Sequence, residues 1–299
     1  MNILQLINAG KRLTRTPKMD ESDPATEVDD AITFDDWMEH LNAAQNYFHG
    51  KIIQAYEDFF VNEDTISYTT GTNEYNIPGQ SVQIRVVERQ GTNYNTNLHP
   101  ITFDLDNAYT SPSNVPQEIY PQFFYLKGRK IGIVDADEAG TANIIYIRRL
   151  PDLMYGTATS PGATSFVLPV TPTLGKTSIV NDYYNGASFY FYSATLGSGQ
   201  SVVCSDYVGA TRVATYGAPT ITPTGTTVVG TECEIPAQWH IAVASYAAVL
   251  AKIGDDQQVS PDLKELVNDM IESAVASIIP RQSSESRHVH VPYRDGGNA

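Results

Sequence analysis

Tyr125-Leu-Lys-Gly-Arg-Lys-Ile-Gly-Ile-Val-Asp-Ala-Asp-Glu-Ala-Gly-Thr-Ala-Asn-Ile-Ile-Tyr-Ile-Arg-Arg-Leu-Pro151 reads as two β-strands joined by a polar, acidic turn. Ile131 and Ile133 alternate with Gly132 and Val134, and Ile145 and Ile147 alternate with Tyr146 and Arg148. Gly128 and Gly140 mark the reversals. Pro151 stops the second strand, because it has no N–H to give to a ladder. The expectation is a β-hairpin over Tyr125–Pro151.

Upstream of it the pattern is also β. Ile66-Ser67-Tyr68 and Tyr75-Asn76-Ile77 flank the turn cluster Thr70-Gly71-Thr72-Asn73. Val82, Ile84 and Val86 alternate with Gln83 and Arg85, which predicts a half-buried strand. Ile101 to Leu105 reads as a short strand, and Ser111 to Pro121 as a proline-bearing connection.

Helices stand at both ends. Asn2 to about Arg15 carries Ile3, Leu6 and Ile7 on one side, and Lys18 to Asp30 reads as an acidic connector. Thr33 is an N-cap residue type, with Asp35 and Asp36 in the first turn where they complement the helix dipole. Trp37, Leu41, Ala44, Phe48, Ile52, Ala55 and Phe59 then recur at steps of three or four, widened by Met38, Tyr47 and Tyr56. So wide a stripe calls for more than one packing partner. Near the other end, Pro236 opens a helix with Trp239, Val243, Tyr246, Leu250 and Ile253. Ser260-Pro261 supplies an N-cap with proline at the first helical position, and Pro280 ends that last helix. Arg281 to Ala299 has little to bury and reads as a basic, extended arm.

Between the first β unit and the last helices, Tyr155 to Thr164 reads as a linker and Ser165 to Cys233 as a second β region. Asp182-Tyr183-Tyr184-Asn185-Gly186 turns the chain into the aromatic strand Phe189 to Tyr192, and glycine turns lead on to Val202-Val203 and then Val213 to Tyr216. Short strands at regular spacing predict a small β-barrel or sandwich. Because helix returns afterwards, the region reads as an insertion.

The 299 residues suffice for about two domains. Charged residues make up 18%, below the ~25% of an average soluble domain, and 18 tyrosines help to fill the difference. That balance favours β structure with polar-aromatic contact surfaces. A net charge of −15 argues against DNA wrapping or sequence readout, which need a basic footprint. It is compatible with a channel wall that DNA passes without sticking, and equally with acidity that only provides solubility. Cys204 and Cys233 are too few for a disulfide framework or a zinc site. No apolar run approaches the ~20 residues that span a bilayer, and Leu4, Leu6 and Ile7 precede Lys11, Arg12 and Arg15, the reverse of an export signal. The expected setting is a cytoplasm or a particle assembled there, away from membranes.

Catalytic motifs are missing or incomplete. Gly175-Lys176-Thr177 lacks the earlier glycine of a phosphate loop, since Val170 stands there. His288 and His290 share a face in an extended chain, yet nothing nearby completes a metal sphere. Asp135, Asp137 and Glu138 do not follow the calcium-loop spacing. No Gly-x-Ser-x-Gly elbow appears, and His40, His49, His99 and His240 have no evident partner. The expectation is a protein that is not an enzyme and carries no cofactor or metal.

Several phrases resemble the head-to-tail adaptor proteins of short-tailed bacteriophages, the tail tubular protein A family. They are Tyr68 to Pro78, Val82 to Val87, and the Tyr125–Pro151 stretch with its ending Tyr146-Ile147-Arg148-Arg149-Leu150-Pro151. The likeness covers roughly Met1–Leu153 and Cys233–Ile279; Tyr155–Glu232 exceeds a minimal adaptor and looks like a β-module of phage structural proteins. The resemblance implies an α+β fold, with a helical bundle from both chain ends, a β-rich centre and the inserted module. In residue terms, 1–64 would hold the N-terminal helices, 65–154 the β unit, 155–233 the insert, 234–280 the C-terminal helices and 281–299 the arm. It further implies a virion protein of the neck, forming a ring, commonly twelve-fold, beneath the portal protein. Such a ring would present a platform to a tail nozzle or tail tube protein and let DNA pass without sequence-specific binding.

Two sets of site residues follow as expectations. Arg281, Arg287, His288, His290, Tyr293 and Arg294 would form a portal-binding arm, and Trp37, Leu41, Phe48, Ile52, Phe59, Trp239 and Tyr246 would line subunit-interface helices. The alternative reading is a tail or fibre protein whose β-module binds host surface glycans through exposed rings such as those of Phe189 to Tyr192. A second rival is a virion enzyme that degrades cell-wall polysaccharide with paired acids.

Overall fold

Capping boxes open the first two helices. In α1 (Ile3–Thr14) the Asn2 side chain accepts from the Gln5 backbone N–H, while the Gln5 side chain returns to the Asn2 N–H. In α2 (Phe34–Ala55) Thr33 and Asp36 exchange the same pair of bonds. Each box satisfies two N–H groups that a helix start leaves unpaired. The chain was analysed as a computed structural model that describes residues 1–15, 32–69, 74–90, 95–102, 123–134, 139–192, 199–220, 222–223, 227–254 and 258–278. The connector over 18–30, the turn clusters at 70–73 and 135–138, the connection over 111–121 and the arm over 281–299 lie outside the described residues.

The architecture is mixed α+β. Among the described residues the other helices are α3 (His240–Gly254), entered through the 3₁₀ turn Ala237–Trp239, and α4 (Pro261–Ile278), whose first turn is capped by the Ser260 hydroxyl accepting from the Leu263 N–H. α3 packs on both α1 and α2, and α4 lies on α2 and α3. One apolar core therefore joins Ile3, Leu6 and Ile7 with Trp37, Leu41 and Phe48, and with Val243, Ala247 and Val267. Small residues let α1 approach closely: a Cβ on Gly10 would stand 2.5 Å from Cζ3 of Trp37.

Among the described residues the strands form three sheets. The first has the order β1-β8-β3-β4, from β1 (Val61–Tyr68), β8 (Gly140–Arg148), β3 (Ser81–Gln90) and β4 (Asn95–Asn97). The second has the order β2-β7-β6-β5, from β2 (Glu74–Asn76), β7 (Lys130–Ile133), β6 (Phe123–Lys127) and β5 (His99–Pro100). The expected Tyr125–Pro151 hairpin is thus not a hairpin. Its two strands exist, but they belong to different sheets: β7 pairs with β6 and β2, and β8 pairs with β1 and β3. A closer reversal captures β7 first. Lys127 faces Lys130 across the two residues Gly128 and Arg129, and Gly128 sits at φ 60°, as tight hairpin loops require. The expected pair Ile145 and Ile147 does not face β7: Ile145 is half-buried and Ile147 joins the helical core, while Ile144 takes the place beside the β7 isoleucines. Ile131 and Ile133 of β7 share a core with Ala142, Ile144 and Tyr146 of β8, together with Tyr68, Val87 and Phe124. A register shift between Ile84 and Val86 also alters β3, so Val87 is the fully buried residue and Val82 points outward.

The third sheet has seven strands in the order β10-β14-β13-β12-β15-β9-β11. They are β9 (Met154–Ala158), β10 (Ser165–Val167), β11 (Leu174–Gly175), β12 (Ser188–Tyr192), β13 (Gln200–Val208), β14 (Val213–Tyr216) and β15 (Thr227–Thr231). In place of the expected barrel or sandwich stands a single sheet around one core. Its flanks are joined where Thr159, next to β9, and Val167 of β10 exchange two 3.0 Å backbone hydrogen bonds. Nor is 155–164 a linker throughout, since β9 runs through it and Met154, Tyr155 and Ala158 are buried. Phe166 meets Phe189 and Phe191 edge-on in the core beneath, with ring centres at 5.2 and 5.5 Å.

Candidate functional site

Residues 148–154 leave the end of β8 and tie the helices, the first sheet and the seven-stranded sheet together. The Arg148 carbonyl accepts from His49 Nε2 at 2.8 Å, and its N–H donates to the Phe60 carbonyl at 2.9 Å. Gln45 Nε2 donates to the Pro151 carbonyl at 2.9 Å, and the Leu153 N–H donates to Asn42 Oδ1 at 2.7 Å. On the other side the Met154 N–H donates to Thr231 Oγ1 at 2.8 Å. Tyr183 Oη donates to Asp152 Oδ2 at 2.8 Å, and burial pushes that phenol up to about 12. The Arg148 guanidinium forms a bidentate ion pair with Glu234 and donates to the Asn185 carbonyl at 3.2 Å. Both partners are largely buried, and burial raises the Glu234 carboxyl above its ordinary range despite the arginine.

A second feature faces outward. Tyr47 on α2 and Tyr246 on α3 stack at 4.5 Å with their planes 14° apart, and the Lys51 ammonium lies 5.6 Å above the Tyr47 ring. Tyr47, Tyr56 and Phe59 are each more than one-third exposed, and Ile253 is 53% exposed. Large apolar side chains left in water along two adjacent helices are the chemistry of a protein contact.

The expected interface residues divide accordingly. Trp37, Leu41, Phe48 and Ile52 are buried in the chain's own core, and Trp239 is only 7% exposed. Their packing is supplied by α1, α3 and α4 rather than by a second copy. Phe59 and Tyr246, joined by Tyr47 and Tyr56, remain on the surface or partly so. The portal-binding arm residues lie outside the described residues.

The histidines also find roles that periodicity could not reveal. His240 is buried, not on a helix surface; its Nε2 is 2.8 Å from the Ile235 carbonyl and its Nδ1 is 2.9 Å from the Met1 amine. Burial holds both His49 and His240 below the usual imidazole range. Gly175-Lys176-Thr177 does not form an anion cradle, because the Gly175 N–H points at Asp35 Oδ1, 3.4 Å away. That segment borders a cleft of about 470 Å³ with Glu39, Asn42 and Asp152. Among the described residues no three His, Cys, Asp or Glu side chains gather as metal ligands, and no helix is long and apolar enough to cross a membrane. Phe189 and Phe191 face the core beneath the seven-stranded sheet, which leaves only Tyr190 and Tyr192 of that strand partly open.

The pattern of the SU10 adaptor proteins matches residues 1–174, more than half of the chain. The chain belongs to the SU10 adaptor protein family. It is therefore a bacteriophage structural adaptor, a component of the virion that contacts other virion proteins. No curated protein matches the chain. The family match takes in α1, α2, the first two sheets and the whole 148–154 junction, and it runs on through β9 and β10 to Leu174. Sequence reasoning missed the Arg148–Glu234 pair, for which no local signal exists. The tyrosine stack could have been suspected from Tyr47 and Tyr246, which each stand in the stripe of a helix.

Proposed function

We propose that this SU10-family adaptor is a head-to-tail connector of the tail tubular protein A kind. Copies of the chain form a ring, twelve-fold in the commonest arrangement, docked beneath the portal protein. The ring closes the filled head, presents a platform to a tail nozzle or tail tube protein, and lines the channel through which DNA leaves. Its work is structural rather than catalytic. The family match over residues 1–174 carries this reading.

Three features support it. The four helices, read as one bundle drawn from both ends of the chain, keep Tyr47, Tyr56, Phe59 and Tyr246 available for contact between neighbouring copies. The charge of −15 gives a channel wall few adhesive contacts with phosphate. The arm Arg281–Ala299 has a composition suited to ordering on a partner surface, here the portal. The β-rich stretch 155–233 is read as a module added to the adaptor core.

Electron microscopy of the purified protein, alone and mixed with portal, tests the proposal. Closed rings or capped portals are expected, and particles that stay monomeric and never add to portals would sink it. Removal of Arg281–Ala299 is expected to leave soluble protein that no longer co-sediments with portal.

A further inference from the structure

Between the 3₁₀ turn leading into α3 and the outer face of α4 runs a groove of about 540 Å³. Trp239, Ala242, Met270 and Ala274 give it an apolar floor, Asp269 stands among its lining residues, and Ser277 lies one residue before α4 ends. Its volume falls within the ~300–1,000 Å³ of ligand-sized clefts. Along α4 the exposed residues Asp262, Glu265, Asp269 and Glu272 recur at steps of three and four, so they form one acidic stripe. Asp269 belongs to both stripe and groove. Among the described residues, none of the four acids takes part in an ion pair.

The chain itself continues from this point. After Ile278 come 21 residues, 279–299, with Arg281, Arg287 and Arg294 against Glu285 and Asp295. Within them Val289, Val291 and Tyr293 alternate with His288, His290 and Pro292. In an extended conformation such alternation puts the three apolar side chains on one side. We propose that this C-terminal segment docks along the α3–α4 groove. Val289, Val291 and Tyr293 then pack on Trp239 and Met270, and Arg287 and Arg294 lie beside the acidic stripe.

The lengths agree. Five extended residues from Val289 to Tyr293 cover roughly 16 Å, and the α4 turns from Asp269 to Ser277 rise about 12 Å. The ten residues 279–288 reach up to ~33 Å, enough to turn back onto the same copy or to cross to a neighbour. The docking concerns the free protein, before the arm leaves the groove to engage a portal, and does not depend on ring formation or on a portal.

The test places the photo-cross-linker benzoylphenylalanine at Val291 of the full-length chain and maps the products by mass spectrometry. Cross-links to 238–242 and 269–277 are expected. Mixing ¹⁵N-labelled with unlabelled protein separates docking on the same copy from docking on a neighbour. Asp269→Lys combined with Glu272→Lys, both at exposed positions, should cut the yield several-fold while circular dichroism stays unchanged. Cross-links confined to other surfaces, no protein–protein cross-link, or an unchanged yield in the double variant would each overturn the docking.

Discussion

Arg148 and Glu234, 86 residues apart in the chain, form a bidentate ion pair in which both side chains are largely buried. The pair closes the junction where β8 ends, where the 182–186 turn returns its Asn185 carbonyl, and where the chain enters the last two helices. A charge removed from water gains little over an apolar pair of the same shape, but one left without its partner is costly.

Glu234→Gln should therefore destabilise the fold by about 3–5 kcal/mol, because Arg148 stays buried and charged. Arg148→Met with Glu234→Leu should cost clearly less than Glu234→Gln alone. Urea denaturation measures both, and a double variant weaker than the single one would refute the junction's reading as a desolvated pair.

Acid should weaken the protein through its buried imidazoles. His49 and His240 are held below their ordinary value by burial, so the unfolded chain takes up protons that the folded chain refuses. Their contribution is complete above about pH 6.5 and is lost as pH falls towards the folded-state values. Glu234 acts oppositely: its raised carboxyl makes stability decline as pH rises above the ordinary glutamate range. The useful measurement is a comparison of slopes. His49→Gln should flatten the dependence of unfolding free energy on pH between 7.5 and 5, and an unchanged slope would remove His49 from the account.

Gly10→Val should displace α1 from Trp37, since a Cβ there already approaches the indole to 2.5 Å and the Ala244 carbonyl to 3.4 Å. Overpacking of this kind costs typically ~1–3 kcal/mol. The melting temperature should fall and Trp37 fluorescence should shift to the red. A variant as stable as the parent would mean that α1 is loosely seated.

Phe59 offers a separation of folding from assembly. Its ring is 39% exposed and meets Phe60 edge-on at 4.9 Å. Phe59→Glu should change monomer stability by less than about 1.5 kcal/mol. Sedimentation velocity should nevertheless show weaker self-association than in the parent. Equal association would move the subunit contact away from this end of α2.

Both cysteine thiols should be inert in the folded protein. Cys204 and Cys233 are buried, and desolvation pushes each up to about 12. Iodoacetamide at pH 8 should modify neither until denaturant is added, after which both should react. Rapid labelling of Cys233 in the native protein would contradict its place in the helical core.

Local signals in the chain were enough for the elements themselves. Thr33 with Asp36, and Ser260 with Pro261, marked helix starts because a cap acts within one turn. The stripe read from Trp37 to Phe59 is a buried face as far as Ile52, because helical periodicity is a property of neighbours three and four apart; α2 ends at Ala55 and leaves Phe59 exposed. The run Phe189 to Tyr192 marked a strand, and the structure turns Phe189 and Phe191 inward at period two.

What those elements touch was settled by contacts between distant residues. The two strands within Tyr125–Pro151 looked like a hairpin, yet the Gly128-Arg129 turn gave β7 to β6, and β8 found β1 and β3 instead. The bulge in β3 that buries Val87 in place of Val86, and the use of Tyr155 in a strand, depend on the partner strand's register. The stripe on α2 could equally have met a second copy; only packing by α1, α3 and α4 buried it within one chain and left Phe59 and Tyr47 outside. Sequence alone thus placed the helix starts and several strands, because capping and periodicity act over a few residues. Tertiary structure decided which strands pair, which charges meet and which apolar face stays open, because those outcomes depend on residues up to hundreds of positions apart.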